Sequence, residues 1–215
     1  MESSYVLSWA AKWAGDSGVV FDSVHQSRPK TMLKGIHALV SEADVVVHYN
    51  GTKFDMPTLN KEFLLYDIPP PAPYKQVDLL KQVRSQFRFP SNKLDYVAQR
   101  LGLGQKVKHE GHELWVACMA GDPEAWKRME EYNKHDVVLL EKLYNKLLPW
   151  IKHHPNRNIF SEDRCCPTCG STKLQKRGFN VTMTAQYQRY VCKDCRSWCQ
   201  ETRTQKPTAQ LKPLS

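Results

Sequence analysis

Two cysteine pairs place the tightest constraint on what this chain of 215 residues can fold into. They are Cys166-Pro167-Thr168-Cys169, followed by Gly170, and Cys192-Lys193-Asp194-Cys195, with 22 residues between Cys169 and Cys192. A C-x-x-C pair makes a tight knuckle that points two thiolates at one ion, and two knuckles complete a tetrahedral four-sulfur zinc site. Thr172 to Phe179 and Tyr187 to Val191 read as two strands of a ribbon between the knuckles. So short a segment cannot fold on a core of its own, so metal binding supplies its folding free energy. Four thiolates leave no open coordination position, which makes this Zn2+ structural rather than catalytic. Cys165 and Cys199 are spare, and Cys165 could compete with Cys166 for the ligand role. Cys118 lies in an apolar stretch and reads as a packing residue.

No run of about 18 apolar residues is present, so no membrane span is expected. The start, MESSYVLSWAAKWAG, lacks the basic flank and long apolar core of a secretory signal. A cytoplasmic chain follows (host cytoplasm, if the source is viral), and with it reduced cysteines. Charge is unevenly spread. Residues 156–215 hold 11 Lys/Arg against 4 Asp/Glu and so carry +7 of the net +9. Such asymmetry points to a polyanionic partner, most often nucleic acid. Lys173, Lys176, Arg177, Arg189, Lys193 and Arg196 are interleaved with Phe179, Tyr187, Tyr190 and Trp198. Basic and aromatic side chains together suit phosphates and bases. The alternative is that the aromatics are the ribbon's few packing residues.

Upstream, short strands alternate with helices, which implies an α/β layer fold. Tyr5–Trp13 and Val19–Ser23 are predicted as a hairpin, Thr31–Glu42 as a helix, and Asp44–His48 as a short strand buried on both faces. A helix with Pro57 in its first turn follows, then the proline-rich connector Pro69–Pro73. Gln76–Asp78 is a strand leading into a helix at Leu79–Gln86. Ser91 is the expected cap of a helix over Asn92–Leu101, ended by Gly102 and Gly104, and Glu113–Ala120 is a further helix. The expected organisation is residues 1–152 as the α/β domain, 153–163 as a linker, 164–200 as the ribbon and 201–215 as a disordered basic tail.

One long amphipathic helix closes the α/β part, over Trp126–Leu147, with Asp122 as N-cap and Pro123 in the first turn. Its apolar stripe runs through Trp126, Met129, Leu140, Leu143 and Leu147. Tyr132 and Asp136, four apart, stand on the same face. A carboxylate on a buried face is costly unless it is paired, hydrogen-bonded or on a metal. A slight turn of the helix would instead leave Asp136 solvated. Asp55, after a strand and an Asn-Gly turn, could by itself be a simple helix N-cap.

Taken together these segments resemble a known family. A strand followed by Asn50-Gly51-Thr52-Lys53-Phe54-Asp55-Met56-Pro57, then far downstream Tyr132-x-x-x-Asp136 on a helix, is similar to the tyrosine-type DEDD 3'-5' exonucleases of the ribonuclease-H-like superfamily. Lys93-Leu94-Asp95-Tyr96-Val97-Ala98-Gln99-Arg100-Leu101-Gly102 resembles the helix these enzymes place between the two motifs. The likeness spans about Tyr5 to Trp150 and is greatest to the YprB-like ribonuclease-H-like domains of bacteria and phages, some with a C-terminal zinc ribbon. It implies a mixed sheet flanked by helices and a two-metal mechanism, with two Mg2+ or Mn2+ ions about 4 Å apart at a phosphodiester. The resemblance casts Asp136 and Asp55 as metal ligands and Tyr132 as the group orienting the attacking water. Asn50, Phe54 and Lys53 become contacts to the terminal nucleotides, probed as single-stranded ends of DNA or RNA.

This sequence departs from the family at its first motif, an Asp-x-Glu on a central strand. That motif supplies two of four carboxylates. The Asp122-Pro123-Glu124 triplet belongs to a helix start, and Glu2, Asp16 and Asp22 lack the context. The family places the missing strand between the equivalents of Tyr5–Trp13 and Asp44–His48, whose edges would otherwise be unpaired. The expectations are therefore either an exonuclease completed by an N-terminal fragment that supplies the strand, or a catalytically inactive nucleic-acid-binding or interaction protein that uses its ribbon.

Overall fold

The N-terminal hairpin forms with β1 at Ser8–Ala11 antiparallel to β2 at Val20–Ser23, Ser8 opposite Ser23 and Ala11 opposite Val20. The computed structural model describes residues 5–107, 111–204 and 209–210. Its chain clusters into two units, Met1–Asn145 and Lys146–Ser215.

In the first unit, α1 (Pro29–Glu42) begins with a proline in its first turn, where the missing N–H is no loss. It buries Met32, Leu33, Ile36 and Val40, spaced three and four apart. The indole of Trp9 lies on this helix and donates its Nε1–H to the Met32 carbonyl at 2.9 Å. Gly35 lets the Trp9 ring come close to this helix, where a Cβ would stand 3.0 Å from the ring. Leu59, Phe63 and Ile68 complete this core.

A β-α-β unit follows. β3 (Val45–His48) and β4 (Lys75–Asp78) are parallel, with Val45 opposite Lys75 and His48 opposite Asp78. The crossover carries α2 (Asp55–Leu65), as a parallel connection requires. Then come α3 (Leu79–Gln86), α4 (Leu94–Arg100), α5 (His112–Met119) and α6 (Pro123–Leu147). The two strand pairs form separate two-stranded sheets. Among the described residues β1 is paired only with β2 and β3 only with β4, so each keeps an open edge. The fold is thus the α/β architecture read from the sequence, with no strand joining the two pairs among the described residues.

Two local expectations change. Ser91 does not cap α4; its hydroxyl accepts from Lys93 N, and the helix starts at Leu94 with no side-chain cap. On α6 the buried stripe passes through Leu139 rather than Leu140, with Ala125, Trp126, Met129, Leu143, Tyr144 and Leu147. A 25-residue helix is long enough for its inner face to drift from a pattern read off a few positions. Its start is as expected, with Asp122 Oδ1 accepting from Glu124 N at 2.9 Å. Leu114 and Cys118 pack with Trp126 and Met129, so Cys118 is a core residue. Lys12 Nζ meets Glu141 at 2.6 Å, and Asn133 donates to Ser8 Oγ at 3.3 Å, fastening β1 to α6.

In the second unit, β5 (Leu174–Val181), β6 (Gln186–Cys192) and β7 (Trp198–Gln200) form an antiparallel sheet in that order. Only the first two strands were legible in the sequence; β7 is three residues long and has no alternating pattern. Residues 157–160 of the expected linker form a 3-10 turn, and Arg157 N donates to Pro167 O at 2.8 Å. From the expected tail, Glu201 N donates to Gln188 O and Thr204 Oγ1 to Gln186 O, so 201–204 follow β6. Residues 205–208 and 211–215 lie outside the described part. No helix among the described residues is long and apolar enough to cross a membrane.

Candidate functional site

The face shared by Tyr132 and Asp136 is partly buried, and it holds a cation. The Lys106 ammonium donates to Asp136 Oδ2 and, at 3.1 Å, to the Tyr132 hydroxyl, while lying 5.1 Å from the Tyr132 ring centroid. Lys106 is placed there by its own loop. Asp95 on α4 accepts from Lys106 N at 2.7 Å, and the His135 ring bonds the Gln105 carbonyl at 2.7 Å. Burial pulls the Lys106 ammonium down, but the hydrogen bond and charge of Asp136, together with Tyr132, outweigh it and hold the group above its ordinary value. Burial also raises the Tyr132 hydroxyl, and the Asp136 charge adds to this. The other carboxylate oxygen, Asp136 Oδ1, is buried and has no hydrogen-bond partner among the described residues. A buried carboxylate oxygen without a donor is costly, and a cation ligand would satisfy it.

Asp55 belongs to a second group, at the C-terminal ends of β3 and β4. Asn50 adopts a left-handed backbone at φ 68°, which asparagine tolerates better than most residues. Its N–H donates to Asp78 Oδ1 at 2.9 Å, and Leu80 N donates to the same oxygen at 3.1 Å. His48 Nδ1 accepts from Gly51 N at 3.1 Å, while Nε2 faces Gln76 Oε1 at 3.0 Å. Asp78 Oδ2, 3.9 Å from His48 Nδ1, is a second buried oxygen with no hydrogen bond among the described residues. Partial burial raises the Asp55 carboxyl, His48 opposes this, and Asp78 adds to it, although much of the residue faces solvent. Lys53 and Phe54, read as nucleotide contacts, are both exposed, Phe54 at 63 %.

The turn depends on Gly51. A Cβ there would stand 2.7 Å from the His48 ring and 3.1 Å from Asp55 Oδ2. Gly51→Ala is therefore expected to lower stability by about 1–2 kcal/mol, in the range for overpacking. It should also displace Asp55. Chemical denaturation and the NMR shift of the Asp55 carboxyl check both effects.

In the second unit the sulfurs of Cys166, Cys169, Cys192 and Cys195 all lie within 4.8 Å of one another. Two of the separations are 3.6 Å, Cys166 to Cys195 and Cys169 to Cys192. A tetrahedron with Zn–S bonds of about 2.3 Å has sulfur edges of roughly 3.8 Å, so the set fits one metal ion. The knuckles are built alike. Gly170 N donates to Cys166 O and Arg196 N to Cys192 O, each from a residue in the left-handed region (φ 79° and 65°). Cys165 is not a ligand; it is buried and accepts from Asn158 Nδ2 at 3.4 Å. The Ser197 hydroxyl touches two of the sulfurs, Cys195 at 2.9 Å and Cys166 at 3.3 Å. Burial raises the Cys166 thiol, but Ser197 and the amides of Cys169 and Thr168 together bring it down to about 7.

The four cysteines named from the sequence lie together, as do Tyr132 and Asp136, while Lys106, His48, Asp78 and Ser197, which stand beside them, were not named as site residues from the sequence. Asp78 had a visible signal, being an aspartate directly before the α3 helix that it caps. Lys106 had none, since 30 residues separate it from its partner.

A profile of the RNase_H superfamily, RNase_H_2, matches residues 9–148. A solved family B DNA polymerase from the hyperthermophilic archaeon Pyrobaculum calidifontis superposes with a TM-score of 0.51 at 24 % identity, over 63 % of this chain and 20 % of the polymerase chain. This chain therefore spans about a fifth of that protein's length. Comparison with curated proteins finds no match. The α/β unit has an RNase H-like fold, and the second unit carries four cysteines placed close enough to share one ion. The chain belongs to the RNase H superfamily.

The site's chemistry is partial. Asp136 Oδ1 suits a divalent ion, but among the described residues the four cysteines are the one group of three or more ligating side chains close enough to share an ion. Asp55 and Asp136 by themselves do not make a two-metal centre, which needs more carboxylates than these.

Proposed function

We propose that this chain engages nucleic-acid ends as one part of a 3'-5' exonuclease of the two-metal type. The acidic residues it lacks would come on a strand, from an upstream segment or a separate fragment, that pairs with the open edges of β1 and β3. The observation that carries this reading is the buried, unpartnered Asp136 Oδ1 beside Tyr132 and Lys106. In the complete site Asp136 and Asp55 would hold Mg2+ or Mn2+, which supply Lewis acidity at the phosphodiester. Tyr132 would orient a water through its hydroxyl. Lys106 would neutralise Asp136 until a metal takes that role. Asn50, Lys53 and Phe54 would contact the terminal nucleotides. The cysteine ion would be Zn2+, with a structural role. The donor count favours a second reading, in which the chain binds nucleic acid without cleaving it.

Manganese titration followed by electron paramagnetic resonance tests the carboxylate. With the ribbon zinc-loaded, Asp136→Asn should weaken Mn2+ binding by at least about tenfold. Equal binding by the variant would remove Asp136 from the site.

A further inference from the structure

The two faces of the ribbon sheet differ in a way that packing does not explain. Tyr190 and Cys199 lie opposite each other, Cys192 faces Leu174, and these side chains are buried or partly so. Tyr190 is 5 % exposed, and its hydroxyl accepts from Arg164 and donates to Glu201. This face is the ribbon's packing face. Residues one position along each strand point the other way. They include Arg189 opposite Gln200, and Val191 opposite Trp198. Trp198 is 59 % exposed, and the Arg189 guanidinium lies 5.4 Å from its ring centroid. A bulge between Lys176 and Phe179 puts Gly178 beside this pair, where a Cβ would come 3.7 Å from Arg189 Nη2.

An indole left that open gains nothing from the ribbon's own core. Its surroundings carry surplus positive charge. Arg164 and Lys173 are paired with Glu201 and Asp194. Among the described residues Lys176, Arg177, Arg189, Lys193 and Arg196 form no ion pair, and all five are exposed. A flat aromatic surface beside unneutralised cations matches a partner with π-faces and regular negative charge. Bases inside a duplex are already stacked and present only their edges, so an indole on a sheet can take a base only from an unpaired strand.

We infer that the solvent face of the ribbon, centred on Trp198 and Arg189, is a stacking platform for single-stranded nucleic acid. Trp198 takes a base, Arg189 a neighbouring phosphate, and Arg177, at the bulge, extends the charged track. This rests on the proposed nucleic-acid function and deepens it, but it uses residues separate from the carboxylate site.

The test is fluorescence anisotropy of the full zinc-loaded chain with a labelled oligo-dT of about 20 nucleotides, longer than the site of one small binding module. Trp198→Ala should weaken binding roughly 5- to 100-fold, the range for loss of one base stack, and Trp198→Phe should retain most of it. Arg189→Gln should lower the salt slope of log Kd by about one. A duplex of the same length should compete poorly. Retention of one zinc per chain by each variant separates loss of the platform from loss of the fold. The assay is run without divalent metal, so it reads the ribbon and not the carboxylates, and failure of the carboxylate reading in the Mn2+ titration leaves this result standing. Wild-type affinity of zinc-replete Trp198→Ala, or duplex bound as tightly as single strand, would overturn the platform.

Discussion

Stripping the metal from the four-cysteine site, or replacing Cys192 by serine, is expected to unfold the ribbon while the α/β unit stays folded. Cys192 is fully buried among the ligating sulfurs, and the ribbon's packing face has little else to bury besides Leu174 and Tyr190. Structural zinc in such modules contributes about 10–16 kcal/mol, more than a sheet of three short strands gains from its own apolar contacts. Chelation should therefore collapse the amide signals of residues 164–200 and open that segment to protease. Signals from the Trp9 and Leu143 cores should be unchanged. Ser197→Ala is a milder probe. Loss of a hydroxyl that contacts two sulfurs should weaken metal retention by about 10- to 100-fold, with the ribbon still folded at saturating zinc. A ribbon that keeps its dispersed spectrum after chelation would contradict both expectations.

The second large effect is expected at Lys106. Lys106→Met leaves Asp136 partly buried without its counter-charge, with the Tyr132 hydroxyl beside it. The whole cost of breaking a buried pair is about 3–5 kcal/mol. With the two side chains 30 % and 21 % exposed, solvent screening reduces it to about 2–3 kcal/mol. The same variant should bind Mn2+ more tightly, because the ion no longer competes with an ammonium. Stability and cation affinity thus move in opposite directions, which a purely structural lysine would not produce. The pH dependence has a definite sign. Lys106 and Tyr132 both hold their protons more tightly when folded than when unfolded. Above about pH 10 the unfolded chain therefore loses these protons first, and stability falls as pH rises. Their contribution is complete below that pH and is lost through the folded-state values. Wild type should accordingly lose stability more steeply than Lys106→Met in alkaline denaturation.

What could be read from the sequence follows from how local each feature is. The knuckles at 166–169 and 192–195, the Asp122 cap and the hairpin at residues 8–23 are set by neighbours a few positions apart, and each formed where expected. Tyr132 and Asp136 needed only the helical repeat to be placed on one face. Lys106 could not be placed, because its position depends on Asp95 and His135 holding a glycine-bounded loop against α6. The orphan oxygens of Asp78 and Asp136 are properties of packing and have no sequence signature. The separation of Trp198 from Tyr190 depends on β7, a strand too short to show alternation. Composition alone could not tell a packing aromatic from an exposed one.

In the proposed function, Tyr132, Asp136 and Asp55 are one part of a phosphodiester-cleaving site whose remaining carboxylates come from elsewhere. The direct measurement is the shortening of a 5'-labelled single strand by the purified 215-residue chain in Mn2+, alongside Asp136→Asn. The expected result is no shortening by either protein. Manganese-dependent degradation by the wild-type chain, abolished in Asp136→Asn, would show that the chain holds a complete site and would contradict the claim.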